Sequence, residues 1–302
     1  MLKVIEAYLA LRRAAGFALQ NDEYLLRSFA GFAAEREETH VQTQTAIDWA
    51  ALGPSVAQCD ARLKAVCRFA RYIRMEDVQH EIPPGDYFGA RKKRRPPHIY
   101  SADEIRRLLA GALGLRPKGG LRPQTYCALI ALLAATGLRI SEALRLEAAD
   151  ITGDGLLIRE TKFRKTRLVP LHGTAAEGLK RYLQQRQPAS GDDPVFVDAH
   201  GLPLRYIAVK ETFDGLAIAA GIPPDPGGRR PRLHDLRHTF AVRALQASPV
   251  GQPWTGKHMV ALATYMGHIN IYSTYWYLEA TAELMRGTAA AGESFLFGGG
   301  RP

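Results

Sequence analysis

The chain has 302 residues, 46% of them hydrophobic and 23% charged, and a formal net charge of +10. This balance fits a globular protein with room for two cored domains and excludes a disordered or low-complexity chain. The longest apolar stretch, 127–138, is twelve residues, too short to cross a bilayer, and Lys3 and Glu6 interrupt the place where a secretory signal needs an apolar core. The expected location is therefore the cytoplasm, with no membrane association.

The charge is unevenly spread. Residues 1–90 carry ten Lys and Arg against twelve Asp and Glu, a net of −2, while 91–95 add +5 and 96–302 the remaining +7. A basic surface of this kind suits a polyanionic partner, and binding through phosphate neutralisation would be strongly salt-dependent.

In chain order, apolar residues recur at spacings of three and four in 2–15, 21–35, 45–52 and 56–73, with Gly16 and the pair Gly53-Pro54 between them. That periodicity predicts a small helical bundle over 1–85. Arg12, Arg13, Arg68, Arg71 and Arg74 are either candidates for one DNA-facing side or a solvated charged face. Cys59, Cys67 and Cys127 form no CxxC motif and fall in helical patterns, so they are expected as buried free thiols. The pattern then breaks into EIPPGDYFGARKKRRPPHIYS. Residues 86–99 read as an extended, basic, Pro-rich linker whose Arg91, Lys92, Lys93, Arg94 and Arg95 could lie against phosphates.

A second domain is expected over 100–302. Ser-Ala-Asp-Glu at 101–104 is a capping box ahead of a helix, and 124–135 is apolar nearly all round, as a core helix must be. Arg139 stands before a further helix predicted over 140–151. The period then changes, predicting strands at 155–161 and 166–171 joined by a basic turn, Lys162-Phe163-Arg164-Lys165, with an edge strand at 194–197. From 175 onward the remainder reads as helical, apart from the loop 222–232 and the Gly-rich tail 298–301.

The stretch 231–278 draws the chemistry together. His234 and Arg237 are three residues apart and share a helix face, where an imidazole and a guanidinium can meet one phosphate. His268 follows, and Tyr277 stands nine residues beyond it. Singly, each residue has a plain structural explanation: a surface Arg139, a solvated Lys162, structural histidines at 234, 238 and 268, and packing tyrosines at 272, 275 and 277.

Taken together and in order, ATGLRISEAL, TKFRKTRLVPL, HDLRHTF and MGHINIYSTYWYL resemble the tyrosine recombinase, or phage integrase, family. The resemblance covers about 100–278 and implies a mainly α fold with a small β-sheet, an α+β catalytic domain preceded by a helical core-binding domain. It makes Arg139 and Arg237 phosphate-binding arginines, Lys162 the hairpin lysine, His234 the start of the HxxR pair, His268 the residue after Met-Gly, and Tyr277 the nucleophile. Glu142 matches the acidic position that supports the first arginine, and Lys165 is the other basic residue of the turn. On one helix Tyr275 would lie about 200° and Tyr272 about 140° from Tyr277, so only one of the three can face a phosphate.

The activity this implies is cleavage and rejoining of DNA strands through a covalent 3′-phosphotyrosine, with no cofactor and no metal. The expected partner is a double-stranded recombination site, bound by a homo-tetramer, with or without a second recombinase. A carboxy-terminal segment, 280–297, could dock onto a neighbouring protomer. Lacking a further amino-terminal domain before Leu2, the expected organisation is a simple two-domain enzyme. The readings that compete are a catalytically silent DNA-binding protein on the same fold and a type IB topoisomerase-like activity.

Overall fold

A computed structural model of the chain describes residues 1–89, 96–159, 166–188, 190–247 and 256–267. Two units are distinguished, Met1–Arg95 and Pro96–Pro302.

The first unit is built from α1 (Leu2–Ala14), α2 (Gln20–Ala34), α3 (Thr43–Ala51) and α4 (Val56–Ile73). Each helix turns an apolar stripe inward, and Ile5, Leu9, Leu26, Phe29, Leu63, Phe69 and Ile73 are 2% exposed or less. Burying each side chain of this size contributes about 1.5–3 kcal/mol. Phe29 meets Trp49 edge-on at 5.5 Å between ring centroids, and Ser55 caps α4 by accepting from the Gln58 amide. On the outside, Arg13 pairs with Glu23, Arg68 with Asp22 at 2.9 Å, and Arg74 donates to the His80 carbonyl at 3.2 Å. The two ion pairs, solvent-exposed on their arginine sides, are worth about 0–1 kcal/mol each.

The second unit holds α5 (Ala102–Leu113), α6 (Leu121–Thr136), α7 (Ile140–Ala143), β1 (Ile151–Thr152), β2 (Gly155–Ile158), β3 (Arg167–Val169), α8 (Gly173–Arg186), α9 (Tyr206–Ala219), α10 (Asp235–Gln246) and α11 (Gly256–Met266). The fold among the described residues is mainly α with one small antiparallel sheet, ordered β1-β2-β3. The capping box at Ser101 forms in both directions, Glu104 N to Ser101 Oγ at 3.1 Å and Ser101 N to Glu104 Oε2 at 2.7 Å. Helix α6 runs through the core, with Leu129, Ile130, Leu132 and Leu133 all 3% exposed or less. Cys59 and Cys67 are buried and Cys127 half-buried, all as free thiols.

Three local expectations are corrected. The helix predicted over 140–151 stops after one turn, because the backbone beyond it bonds to a distant segment. Ala148 N donates to Asp193 O, Ala149 N to Gly191 O, and Val195 N to Leu146 O. Residues Ala148–Asp150 form a 3-10 turn and Ile151–Thr152 becomes a third strand, paired with β2. The edge strand expected at 194–197 makes only isolated bridges, Glu147 with Pro194 and Val197 with Pro203. Finally, the described residues between α8 and α9 are not helical, and they place Val195, Phe196 and Val197 in the core at 1% exposure or less. No helix among the described residues is long and apolar enough to cross a membrane.

Candidate active site

The site begins where α6 ends. Gly137 closes that helix with φ +61°, and a Cβ there would stand 2.5 Å from Phe240 Cδ1, so both the backbone and the space demand glycine. Two residues on, Arg139 occupies the N-cap of α7 in an extended conformation. Glu142, one turn later, reaches back to it: Oε2 accepts from the Arg139 amide at 3.0 Å and Oε1 from Arg139 Nη1 at 2.7 Å.

The same carboxylate receives a second guanidinium. Arg167, the first residue of β3, donates Nη2 to Oε2 at 2.8 Å and Nη1 to Oε1 at 3.2 Å. The Glu142 side chain is 2% exposed. Burial pushes its carboxyl up, yet the hydrogen bonds and charges of Arg167 and Arg139 outweigh this and hold it at about 2.

Arg237 lies one turn into α10 and is 3% exposed. Its Nη1 donates to the Gly137 carbonyl and its Nη2 to the Met266 carbonyl, each at 2.6 Å. Both acceptors terminate helices, α6 and α11, whose negative dipole ends favour a buried cation there. A regular pattern follows at the end of α11. Tyr265 O accepts from Arg167 Nε at 2.9 Å, Met266 O from Arg237, and Gly267 O from Arg139 Nη2 at 3.1 Å. Three arginines from three elements thus take three successive carbonyls of one helix terminus. Gly267, with φ +64°, lets Arg167 close in; a Cβ would meet its Nη1 at 2.9 Å.

His234 is the N-cap of α10. The start of that helix is fixed by the buried Asp235, which accepts from Arg232 N and Arg232 Nη2 at 2.9 Å each. Thr239 Oγ1 ties the helix to the chain before α5 by accepting from Tyr100 N at 2.9 Å. The His234 ring keeps solvent-accessible surface while protein stands close around it, and burial, followed by the charge of Arg237, draws its pKa below the ordinary histidine value. His238 meets His234 edge-on at 4.8 Å, and burial above all lowers it to about 4. Both imidazoles are neutral at pH 7, so His234 is able to accept a proton.

Of the residues singled out in the sequence, Arg139, His234 and Arg237 are brought into one region together with Glu142. Lys162, Lys165, His268 and Tyr277, with Arg91, Lys92, Lys93, Arg94 and Arg95, lie outside the described residues, as does the segment 280–297. Arg167 and the carbonyls of 265–267 had not been singled out. The one signal for Arg167 is its place near the head of the predicted strand 166–171, where apolar neighbours make an inward ion pair the expected use of an arginine.

One group of side chains among the described residues has metal-ligand proximity: His40, Asp77 and His80, in the first unit. Its hydrogen bonds commit it otherwise. His80 Nδ1 accepts from Val41 N at 3.0 Å, so Nε2 carries the proton and turns it toward Asp77 Oδ2, 3.9 Å away, where His40 Nε2 also bonds at 3.0 Å. A neutral His80 ring has no lone pair left for a cation, and the trio acts as a latch between 39–43 and 77–81.

The family model described as Phage integrase family matches residues 101–283. The chain is 36% identical over 296 residues to a putative integrase/recombinase, y4rB, of Sinorhizobium fredii, covering 94% of each. It is 32% identical over 244 residues to the tyrosine recombinase XerD of Caulobacter vibrioides, covering 78% of this chain and 75% of that one. Among solved structures, the Tn1549 transposon integrase in complex with transposon right end DNA superposes with a TM-score of 0.67 at 17% identity, over 98% of this chain and 99% of that one. The lambda integrase dimer bound to a COC′ core site gives 0.64 at 16%, over 93% and 96%. These last two speak to the fold alone. With the family model spanning more than half of the chain and a relative 36% identical along nearly its whole length, the chain belongs to the phage integrase family of tyrosine recombinases.

Proposed function

We propose that this protein is a site-specific recombinase that cleaves and rejoins DNA through a covalent 3′-phosphotyrosine on Tyr277. The observation that carries the reading is the convergence of Arg139 and Arg237 on the last turn of α11, next to His234 and directly ahead of His268 in sequence. Tyr277 Oη attacks the scissile phosphorus in line, the P–O5′ bond breaks, and the 5′ oxygen leaves as a hydroxyl. A free phenol has a pKa near 10, so it needs a base, and a neutral His234 supplies one. Lys162 protonates the departing oxygen, each proton transfer being worth about 10²–10⁴-fold. Arg139, Arg237 and His268 hold the non-bridging oxygens as charge builds, at roughly 3–4 kcal/mol for each well-placed donor. The phosphodiester energy is retained in the adduct, and the 5′-hydroxyl of a second strand reverses the step.

In this reading residues 1–85 form a DNA-binding domain, 86–99 a linker whose basic run from Arg91 to Arg95 follows the backbone, and 100–302 the catalytic domain. Lys165 makes a further phosphate contact. The working form is a tetramer on two synapsed sites, acting in the cytoplasm, with 280–297 as the segment exchanged between protomers.

The test uses a duplex that the protein selects from a random pool, nicked at successive central positions so that a cleaved strand end diffuses away. Wild type should trap a labelled covalent adduct, Tyr277→Phe should trap none, and Tyr275→Phe should behave as wild type. Specific binding without an adduct at any nick would replace this reading with that of a silent DNA-binding protein. Relaxation of supercoiled plasmid lacking the selected site would replace it with that of a topoisomerase.

A further inference from the structure

Glu142 carries one negative charge and faces two guanidiniums, and the two are used differently. Arg167 engages both carboxylate oxygens and donates Nε to the Tyr265 carbonyl. Its side chain is 12% exposed, against 30% for Arg139. The Arg139 guanidinium holds the same carboxylate through a single nitrogen, Nη1 on Oε1, while the backbone amide of Arg139 takes Oε2. The excess positive charge of the trio therefore comes to the surface at Arg139. Arg167 also sits beneath Gly267, whose missing side chain leaves the space its guanidinium occupies. It opens the strand that follows the basic turn, five residues after Lys162, and binds the helix end that precedes His268. An arginine in so basic a stretch would ordinarily be read as a DNA contact; its burial and its three hydrogen bonds to Glu142 and Tyr265 exclude that.

We propose that Arg167 is a positioning residue for strand cleavage: by occupying Glu142 in bidentate fashion it prevents that carboxylate from neutralising Arg139, whose charge is thereby left for the scissile phosphate. The proposal rests on the recombinase reading above. Without Arg167, Glu142 has only Arg139 to pair with; the arginine becomes a closed ion pair and loses its hold on an anion. Lysine cannot replace it, since a point charge spans neither both oxygens nor the Tyr265 carbonyl at once.

The experiment compares full-length wild type, Arg167→Gln, Arg167→Lys and the double variant Arg167→Gln/Glu142→Gln on the selected, nicked duplex. Binding affinity, the single-turnover rate of adduct formation and the thermal midpoint are measured for each. A second substrate carries a neutral methylphosphonate at the scissile position, where a guanidinium's charge matters less. Arg167→Gln should bind intact duplex within about 3-fold of wild type and form adduct 10- to 100-fold more slowly. That defect should shrink several-fold on the methylphosphonate. The double variant should cleave faster than Arg167→Gln, because the competing carboxylate is gone. Should Arg167→Gln fail to fold, Arg167→Lys carries the substrate comparison, with the same direction expected.

An equal defect on both substrates, or a double variant no faster than the single one, would reduce Arg167 to a structural brace and overturn the proposal. An unchanged cleavage rate would overturn it too. Failure of wild type to form an adduct on either substrate would instead strike the recombinase reading itself.

Discussion

Replacing Glu142 by glutamine keeps the shape of the side chain and removes its charge, leaving two guanidiniums around a buried amide. The cost follows from the carboxyl's displacement. It falls from 4.5 to about 2, and at ~1.4 kcal/mol per pH unit this amounts to about 3 kcal/mol of stability at neutral pH. Breaking a buried pair from one side costs a similar amount, about 3–5 kcal/mol. Because the folded carboxyl is depressed, its contribution is complete above 4.5 and drains away as the pH falls toward 2. The gap between wild type and Glu142→Gln should therefore be largest at pH 7 and close steadily below about 4.5. Calorimetry that separates the transition of the second unit should find its midpoint lowered by roughly 6–12 °C at pH 7. A gap under about 1 kcal/mol at pH 7, or one of constant size between pH 7 and 3.5, would refute the reasoning.

Two further outcomes are expected. Gly137→Ala places a Cβ against Phe240 at a left-handed position, and urea unfolding should register a loss of about 2–4 kcal/mol from backbone strain and overpacking together; a loss below about 0.5 kcal/mol would contradict the geometry. His80, lowered chiefly by burial, should cost the first unit stability as the pH drops below 6.5, since the unfolded chain takes up the proton more readily. His80→Asn retains an acceptor for Val41 N but cannot titrate, so its thermal midpoint should fall less than wild type between pH 7.5 and 5.5; an equal fall would discard the latch as the cause.

The long helices were legible because their burial is one-sided. The stripe of 56–73 matches α4 residue for residue, and the others agree within a few residues at each end. What sequence could not convey was where backbone groups bond across distance. Residues 146–151 carry a helical pattern, yet their amides and carbonyls are spent on 191–195 and on β2, so local preference lost to a tertiary partner. Likewise the strand-like Val195, Phe196 and Val197 entered the core without joining the sheet. In the site, His234 and Arg237 announced themselves through their spacing, and Arg139 and Glu142 through the resemblance. The groups that hold those side chains did not, because a carbonyl at 265, 266 or 267 has no letter of its own. Only Gly137 and Gly267 hint at it, by marking places where a backbone must approach closely.

The three carbonyls at the end of α11 also impose an order on the life of the chain. Arg139, Arg167 and Arg237 leave the ribosome before residues 265–267, which receive them. A product cut short ahead of Tyr265 can form the pair of Glu142 with its two arginines but has nothing to seat all three guanidiniums. Such a chain keeps the Glu142 cluster but lacks the single terminus that draws α7, β3 and α10 together.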